Sequence, residues 1–428
     1  MRTVLRLILA SAASIVALQA SADTLRIATW NLGWHVSQAE LSPWLSQCSK
    51  TYAKDAQTKV WKLVPAGTPQ AKRGWDVTES RATLEGVDLS VMPPCAVYLT
   101  PGFDGIEVTQ TAYAKRAAQL SRILSSDVRP DVIAFQEVSG VAAVREALGA
   151  AAADYHVCSF DGAYKVQRLA FAWRKSFGPA AEACADVRSI SLPAAPPEHQ
   201  VRPGYTVTLN LAGKRVRFLT VHLKSSCVTP LEGDRLDAPN ADEACQLLQQ
   251  QIGPIEQTFE QLASGADHFI VLGDFNRNLW HEQHQVAGAE KTRADGQADL
   301  ATPRAPGVAT RNLLLEVNDG APAASKAVLL APTCRGSAAL AAACDASKTA
   351  KLTKEQMAVL TDREGLGCRN PVGLDHMLVS EALAPAVRAV FKVSIEQYGR
   401  SLGPKLPAYP DPLLAVSDHC PLVAEIEF

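Results

Sequence analysis

The 428-residue sequence has no dominant charge: 42 basic and 44 acidic residues leave a formal net charge of −2. A strongly basic face that would hold nucleic acid by bulk electrostatics is therefore not visible, which weakens that role, while a local basic groove stays open to it. Beyond residue 22 no apolar run is long enough to span a bilayer, so stable membrane insertion is not expected. No Cys-x-x-Cys pair or Cys/His cluster has structural-zinc spacing. GxSxG, HExxH and GxxxxGK followed by Ser or Thr are also missing, which sets aside the chemistries those motifs serve. No internal repeat of fixed period stands out.

What is present points to a folded, exported protein. Hydrophobic residues make up 47% and charged residues 20%, enough for a full core and unlike a disordered chain. Residues 1–22 read as a secretory signal peptide: Arg2 and Arg6 form the basic start, Leu7 to Leu18 the apolar stretch, and Ala20-Ser21-Ala22 the small-residue cleavage site. The rival reading, a membrane anchor, is disfavoured by a short run rich in Ala and Ser. The ten cysteines, an even number, favour disulfides in a periplasmic or extracellular setting. Cys158–Cys184 and Cys227–Cys245 are candidate local pairs, while connectivity stays open.

Along the chain, Leu25–Asn31 has strand character, and residues 36–106 form an irregular insertion stapled by Cys48 and Cys95. Thr111–Ser126 and Val141–Leu148 have helical spacing, with a short apolar run, Asp131–Val138, between them. Arg168–Arg174 is a strand, and Tyr205–Ser225 a hairpin turning at Gly213. Residues 241–263 form a Gln- and Leu-rich helix feeding the apolar run His268–Asp274. Residues 280–370 are again insertion-like, before the regular segments Gly373–Ser380 and Val416–Phe428. The expectation is one domain over 23–428 with two long insertions.

Several apolar runs end or begin on short polar side chains: Asn31, Glu137, His222, Asp274 with Asn276, Asp375, and Asp418 with His419. Each alone reads more simply as a turn former, a rim carboxylate or a satisfied histidine. As a set they supply what metal-assisted phosphate-ester hydrolysis needs. Carboxylates and amides suit a hard cation, and a histidine beside a carboxylate suits proton transfer near neutral pH. Side-chain donors hold the charge that develops on phosphate.

The segments ATWNLGW (28–34), DVIAFQEV (131–138), LTVHLKS (219–225), IVLGDFN (270–276), GLDHMLVS (373–380) and VSDHCPL (416–422) resemble, in order, the endonuclease/exonuclease/phosphatase superfamily. That superfamily includes pancreatic-type deoxyribonucleases, apurinic endonucleases, neutral sphingomyelinases and inositol polyphosphate phosphatases. The resemblance implies a four-layer α/β sandwich, two packed mixed β-sheets flanked by helices, with the site at one sheet edge. It implies that Asn31, Glu137 and Asp418 hold a divalent ion, Mg2+ with Mn2+ or Ca2+ as alternatives. His419, oriented by Asp375, would act as general base or acid; Asp274 would position or activate water. Asn276 would donate to a phosphate oxygen, and His222 would stabilise charge on the phosphate or leaving group. One departure stands out: pancreatic-type nucleases place an acid near the strand before the AFAWR-like segment to pair the first histidine, whereas residues 164–168 here contain none. That leaves Gln167 or Arg168 as phosphate contacts instead.

Three readings follow. The first is an exported divalent-metal-dependent phosphodiesterase acting on a phosphodiester substrate, DNA or RNA, with Arg277 after GDFN as a nearby cation and a monomer favoured. The second is a lipid or small-molecule phosphoesterase of sphingomyelinase or inositol phosphatase type, for which Trp61, Trp75 and the VMPPCAVYL segment are weak membrane-contact candidates. The third is a non-catalytic binding module, disfavoured because all eight polar residues are present.

Overall fold

The structure, a computed structural model, describes residues 24–57, 60–74, 95, 109–160, 167–196, 199–227, 241–283, 313–318, 322–361, 364–395 and 416–428. The expected signal peptide, Trp75, most of VMPPCAVYL and residues 164–166 lie outside them.

Short runs rich in β-branched and aromatic residues become strands. In chain order they are β1 (Thr24–His35), β2 (Thr51–Lys54), β3 (Trp61–Leu63), β4 (Lys72–Arg73), β5 (Val132–Val138), β6 (Tyr155–Ser159), β7 (Arg168–Arg174) and β8 (Glu182–Val187). Then follow β9 (Gly204–Leu211), β10 (Lys214–His222), β11 (His268–Asp274), β12 (Ala327–Leu329), β13 (Thr333–Cys334), β14 (Asp375–Ser380), β15 (Val387–Lys392) and β16 (Leu422–Glu427). One sheet has the order β13-β15-β16-β1-β5-β7-β6, the second β12-β14-β11-β10-β9-β8; β3-β2-β4 form a small third sheet. Both large sheets are mixed: β1 runs parallel to β5 and antiparallel to β16, and β10 runs parallel to β11 and antiparallel to β9.

Alternation along the strands sorts side chains to opposite faces. Ile27, Ala134 and Phe171 of the first sheet meet Val207, Phe218, Ile270 and Met377 of the second, filling the space between them. The first sheet turns Trp30, Ile133 and Phe135 outward against Leu120, Ile123 and Val144 of helices Gln110–Ile123 and Val141–Leu148. On the far side, Val221, Phe269 and Val271 pack against Leu248, Ile255 and Phe259 of helices Ala241–Gln250 and Ile252–Ala263. The layers are therefore helix, sheet, sheet, helix, the expected four-layer sandwich.

Local chemistry accounts for the details. The β9–β10 hairpin turns through Ala212 and Gly213, both at positive φ (47° and 79°), the geometry that matches strand twist in a two-residue loop. The helix expected over 241–263 is two helices parted at Gln251, with Pro254, which cannot donate, in the first turn of the second. The stretch 280–370, read as insertion-like from its weak periodicity, is partly woven into the sheets. Here β12 adds an edge to β14 and β13 one to β15, while Leu340, Ala343 and Cys344 enter the core. Disulfides join Cys48–Cys95, Cys158–Cys184, Cys227–Cys245, Cys334–Cys344 and Cys368–Cys420.

Candidate active site

Strand register brings the polar set to one edge of the two sheets. In the first sheet Asn31 on β1 pairs with Gln136 on β5, so Glu137 follows beside it. In the second sheet His222 on β10 pairs with Asp274 on β11, and Asp274 pairs with Asp375 at the start of β14. Asp418 and His419 sit in the turn leading into β16, tied to β1 by Ser417 Oγ donating to the Asn31 carbonyl (2.6 Å) and Trp30 Nε1 donating to the His419 carbonyl (2.8 Å).

The turn-former reading of two residues holds, together with more. Asn31 Oδ1 accepts from the Gly33 amide at 2.9 Å, while its Nδ2 donates to Asp274 Oδ2 at 3.0 Å and lies 3.4 Å from Glu137 Oε1. Asp274 Oδ1 accepts from the Asn276 amide at 2.9 Å, leaving Oδ2 turned to the other polar groups. Gly33 is needed here: its φ is +58°, and a Cβ would lie 3.1 Å from Asp418 Oδ1. Glu137 and Asn276 also adopt left-handed backbone (φ 56° and 51°), a conformation costing non-glycine residues about 1–3 kcal/mol and common where side chains must be aimed.

Around this edge, His222 Nε2 lies 3.5 Å from both Glu137 Oε1 and Asp274 Oδ2. The Trp34 amide donates to Glu137 Oε2 at 3.0 Å. His419 Nδ1 faces both oxygens of Asp375 at 3.0 and 3.1 Å, turning Nε2 toward Asp274 Oδ2 (3.7 Å) and Asp418 Oδ2 (4.0 Å). Asn276 is occupied differently: its Nδ2 donates to the Leu223 carbonyl at 3.1 Å, shaping the loop beside His222.

Crowded carboxylates in a buried place resist ionisation. Burial, then the Asp418 carboxylate, pushes Glu137 up to about 7. Burial pushes Asp274 up to about 6, with His419 opposing and Asp375 reinforcing the rise. Burial alone would lower His419, but the carboxylates of Asp375, Asp418 and Asp274 outweigh it and raise it to about 10. Burial also works against the Asp375 carboxylate, yet Lys392 and His419 beside it hold it well below the usual range. Burial and then Arg202 keep His222 neutral, far below its ordinary value. Raised carboxylates gathered in one buried place fit a hard divalent cation, which would relieve their repulsion. Asp274, Asp375 and His419 place ligand atoms within 4.8 Å of one another. Both Asp375 oxygens there are engaged by His419 and Lys392, so the Glu137 side is the better cation pole.

Some expectations are corrected. Arg277, expected as a nearby cation, is fully buried, its Nε donating to Glu282 at 2.5 Å. Gln167 Oε1 accepts from Arg202 and Arg168 Nη1 donates to the Ser139 carbonyl, so both side chains hold the fold together. His222 Nδ1 is buried and has no hydrogen-bond partner among the described residues, consistent with the acid missing from 164–168.

Three residues at the edge went unseen in the sequence. Arg202 forks onto the carbonyls of His222 (2.9 Å) and Leu223 (2.7 Å). Asn370 Nδ2 donates to Asp418 Oδ2 at 3.0 Å and lies 3.4 Å from His419 Nε2, two residues from the Cys368–Cys420 bridge. Lys392 donates to Asp375 Oδ2 at 2.8 Å. Only Lys392 carried a signal, a lone charge inside the apolar run Val390–Val393.

No curated protein matches the chain in sequence. Among solved structures, D. rerio TDP2 complexed with single strand DNA product is 14% identical, with 74% of this chain and 92% of that chain covered and a TM-score of 0.39. The human Nocturnin catalytic domain with bound sulfate anion is also 14% identical (73% and 86% covered, TM-score 0.36). The 3'-5' exonuclease NExo from Neisseria meningitidis is 18% identical (74% and 97% covered, TM-score 0.36). The Endonuclease/Exonuclease/phosphatase family matches residues 104–419, well over half of the sequence and every motif from Glu137 to His419. The chain belongs to the endonuclease/exonuclease/phosphatase family.

Proposed function

We propose that this protein is an exported, Mg2+-dependent phosphodiesterase that hydrolyses nucleic-acid phosphodiester bonds by attack of water. Its family comprises metal-dependent hydrolases of phosphate esters. The observation that carries the reading is the convergence of Glu137 and Asp274 on one Asn31 amide and one His222 nitrogen, all within 3.5 Å. Export is supported by the engagement of all ten cysteines in disulfides.

Glu137 and Asp418 would hold the cation, joined by Asn31 through the amide oxygen that here accepts from the Gly33 amide, and the cation when bound neutralises phosphate charge. Asp274 is the acceptor for a proton of the attacking water, its Oδ2 placed by Asn31 and its Oδ1 anchored by the Asn276 amide. His419, protonated between three carboxylates, is the charged donor to phosphate, and Asp375 fixes its ring through Nδ1. Neutral His222 donates from one nitrogen only, so its role is to steady the phosphate or leaving group without transferring charge. Against a lipid surface, Trp61, one of the membrane-contact candidates, is buried, and Leu63, Leu315 and Met357, the exposed large hydrophobics among the described residues, sit on separate elements.

The test is a substrate panel with and without EDTA: duplex DNA, RNA, sphingomyelin, inositol phosphates and bis-p-nitrophenyl phosphate. Chelator-sensitive cleavage of DNA or RNA that falls steeply with salt is expected. Salt-independent turnover of sphingomyelin or inositol phosphates alone would replace nucleic acid as the substrate; no turnover of any ester with any divalent metal would overturn the reading.

A further inference from the structure

Lys392 closes β15 with its side chain fully buried. Its ammonium donates to Asp375 Oδ2 at 2.8 Å and to the Cys420 carbonyl at 3.1 Å. Desolvating an ammonium is costly, and an apolar residue of similar volume commonly serves stability as well as a buried ion pair. Packing alone therefore does not account for a lysine here.

The two contacts do something no alkyl chain does. Asp375 opens β14 in the second sheet, whereas Lys392 and Cys420 belong to β15 and the turn before β16 in the first. The ammonium thus ties the carboxylate of one sheet to the backbone of the other, at the residue directly after His419. It occupies Oδ2 while His419 Nδ1 lies 3.0 Å from Oδ1. The imidazole is held from both ends, through Asp375 at its Nδ1 and through Cys420 along the chain, with Nε2 directed at Asp274 Oδ2.

We propose that Lys392 is a positioning residue for the reaction, the third member of a buried Lys392–Asp375–His419 chain that locks the imidazole across the two sheets. Its effect on turnover rests on the phosphodiesterase reading; its hold on the imidazole does not. Like other partners standing behind a reacting group, it is worth about 10- to 100-fold in rate.

The experiment compares wild type, Lys392→Met, Asp375→Asn and the double variant in kcat and KM for bis-p-nitrophenyl phosphate with Mg2+. Imidazole N–H NMR in EDTA reads the His419 Nδ1 proton directly. Lys392→Met is expected to lower kcat about 10- to 100-fold with KM changed by less than about 3-fold, and to lose or shift the Nδ1–H resonance. The double variant is expected to be no slower than Asp375→Asn, because Lys392 acts through that carboxylate. Wild-type kcat in Lys392→Met, an unchanged resonance, or losses that multiply in the double variant would each overturn the inference. If Lys392→Met does not fold, the double variant removes both charges of the pair together and is judged against Asp375→Asn by the same criterion. A wild type inactive on every ester with every divalent metal sinks the phosphodiesterase reading, while the Nδ1–H resonance still decides the hold of Lys392.

Discussion

Replacing Glu137 with Gln should make the cation-free protein more stable while removing its response to magnesium. Burial and the Asp418 carboxylate raise Glu137 from 4.5 to about 7. That gap corresponds to about 3 kcal/mol, reduced to about 2–3 kcal/mol because 13% of the side chain still reaches solvent. The folded protein holds this proton more tightly than the unfolded chain does. Ionisation therefore costs nothing below pH 4.5, and stability falls as pH rises from 4.5 through about 7. Gln carries no such charge and keeps an oxygen for the Trp34 amide. With an unfolding entropy of about 2.1 cal/mol/K per residue, or about 0.9 kcal/mol/K for a chain of this length, the gain at pH 8 is about 2–3 °C in Tm. In wild type, Mg2+ at 100 times its Kd should add about 2.7 kcal/mol, again about 3 °C. Thermal scans from pH 4.5 to 8.5, with EDTA or Mg2+, measure both effects. A variant that melts lower than wild type at pH 8 in EDTA, or that still gains stability from Mg2+, would refute the cation pole at Glu137.

Three further predictions bear on the same edge. Asp274→Asn and His419→Ala should each lower kcat at least about 100-fold on bis-p-nitrophenyl phosphate; losses under about 3-fold in steady-state assays would remove both from the chemistry. His376 is buried and neutral, lowered by burial to about 4, with Nε2 2.9 Å from the Arg277 carbonyl. Its contribution is complete above pH 6.5 and is lost as pH falls toward 4, a change of about 3 kcal/mol; in His376→Asn, urea melts should show a flatter acid limb, and an unchanged limb would contradict this. Removing the Cys368–Cys420 bridge, which spans 52 residues, should cost about 4 kcal/mol in the chain-entropy account. It also frees Asn370 beside His419, so the Cys368→Ser/Cys420→Ser variant should lose kcat even well below its own Tm; full activity there would show that the bridge serves stability alone.

The hairpin at Gly213 and the helix Val141–Leu148 were readable in the chain because turn chemistry and hydrophobic period act over a few neighbouring residues. The eight polar residues were readable too, since each interrupts an apolar run at a strand end. The break at Gln251 is not legible in the sequence because period alone continues across it. The burial of Arg277 is not legible for a related reason: it is set by Glu282 and by packing around it, neither of which local composition reveals. Asn370 and Arg202 were invisible because an Asn or Arg in a loop looks alike whether it faces water or a carboxylate a long way off in sequence.

By itself the sequence determined the period of each element, the inventory of oxygen and imidazole donors, and the absence of bulk positive charge. Only the tertiary structure decided that Asn31 and Glu137 of one sheet meet His222 and Asp274 of the other, and that His419 meets Asp375. That meeting depends on strand register and on the packing of two sheets, which bring Asn31 and Asp274, 243 positions apart, within 3.0 Å. Ionisation follows from the same packing: Asp274, Glu137 and His419 depart from their ordinary values because burial removes water and crowds carboxylates together, and neither condition exists until the sheets close.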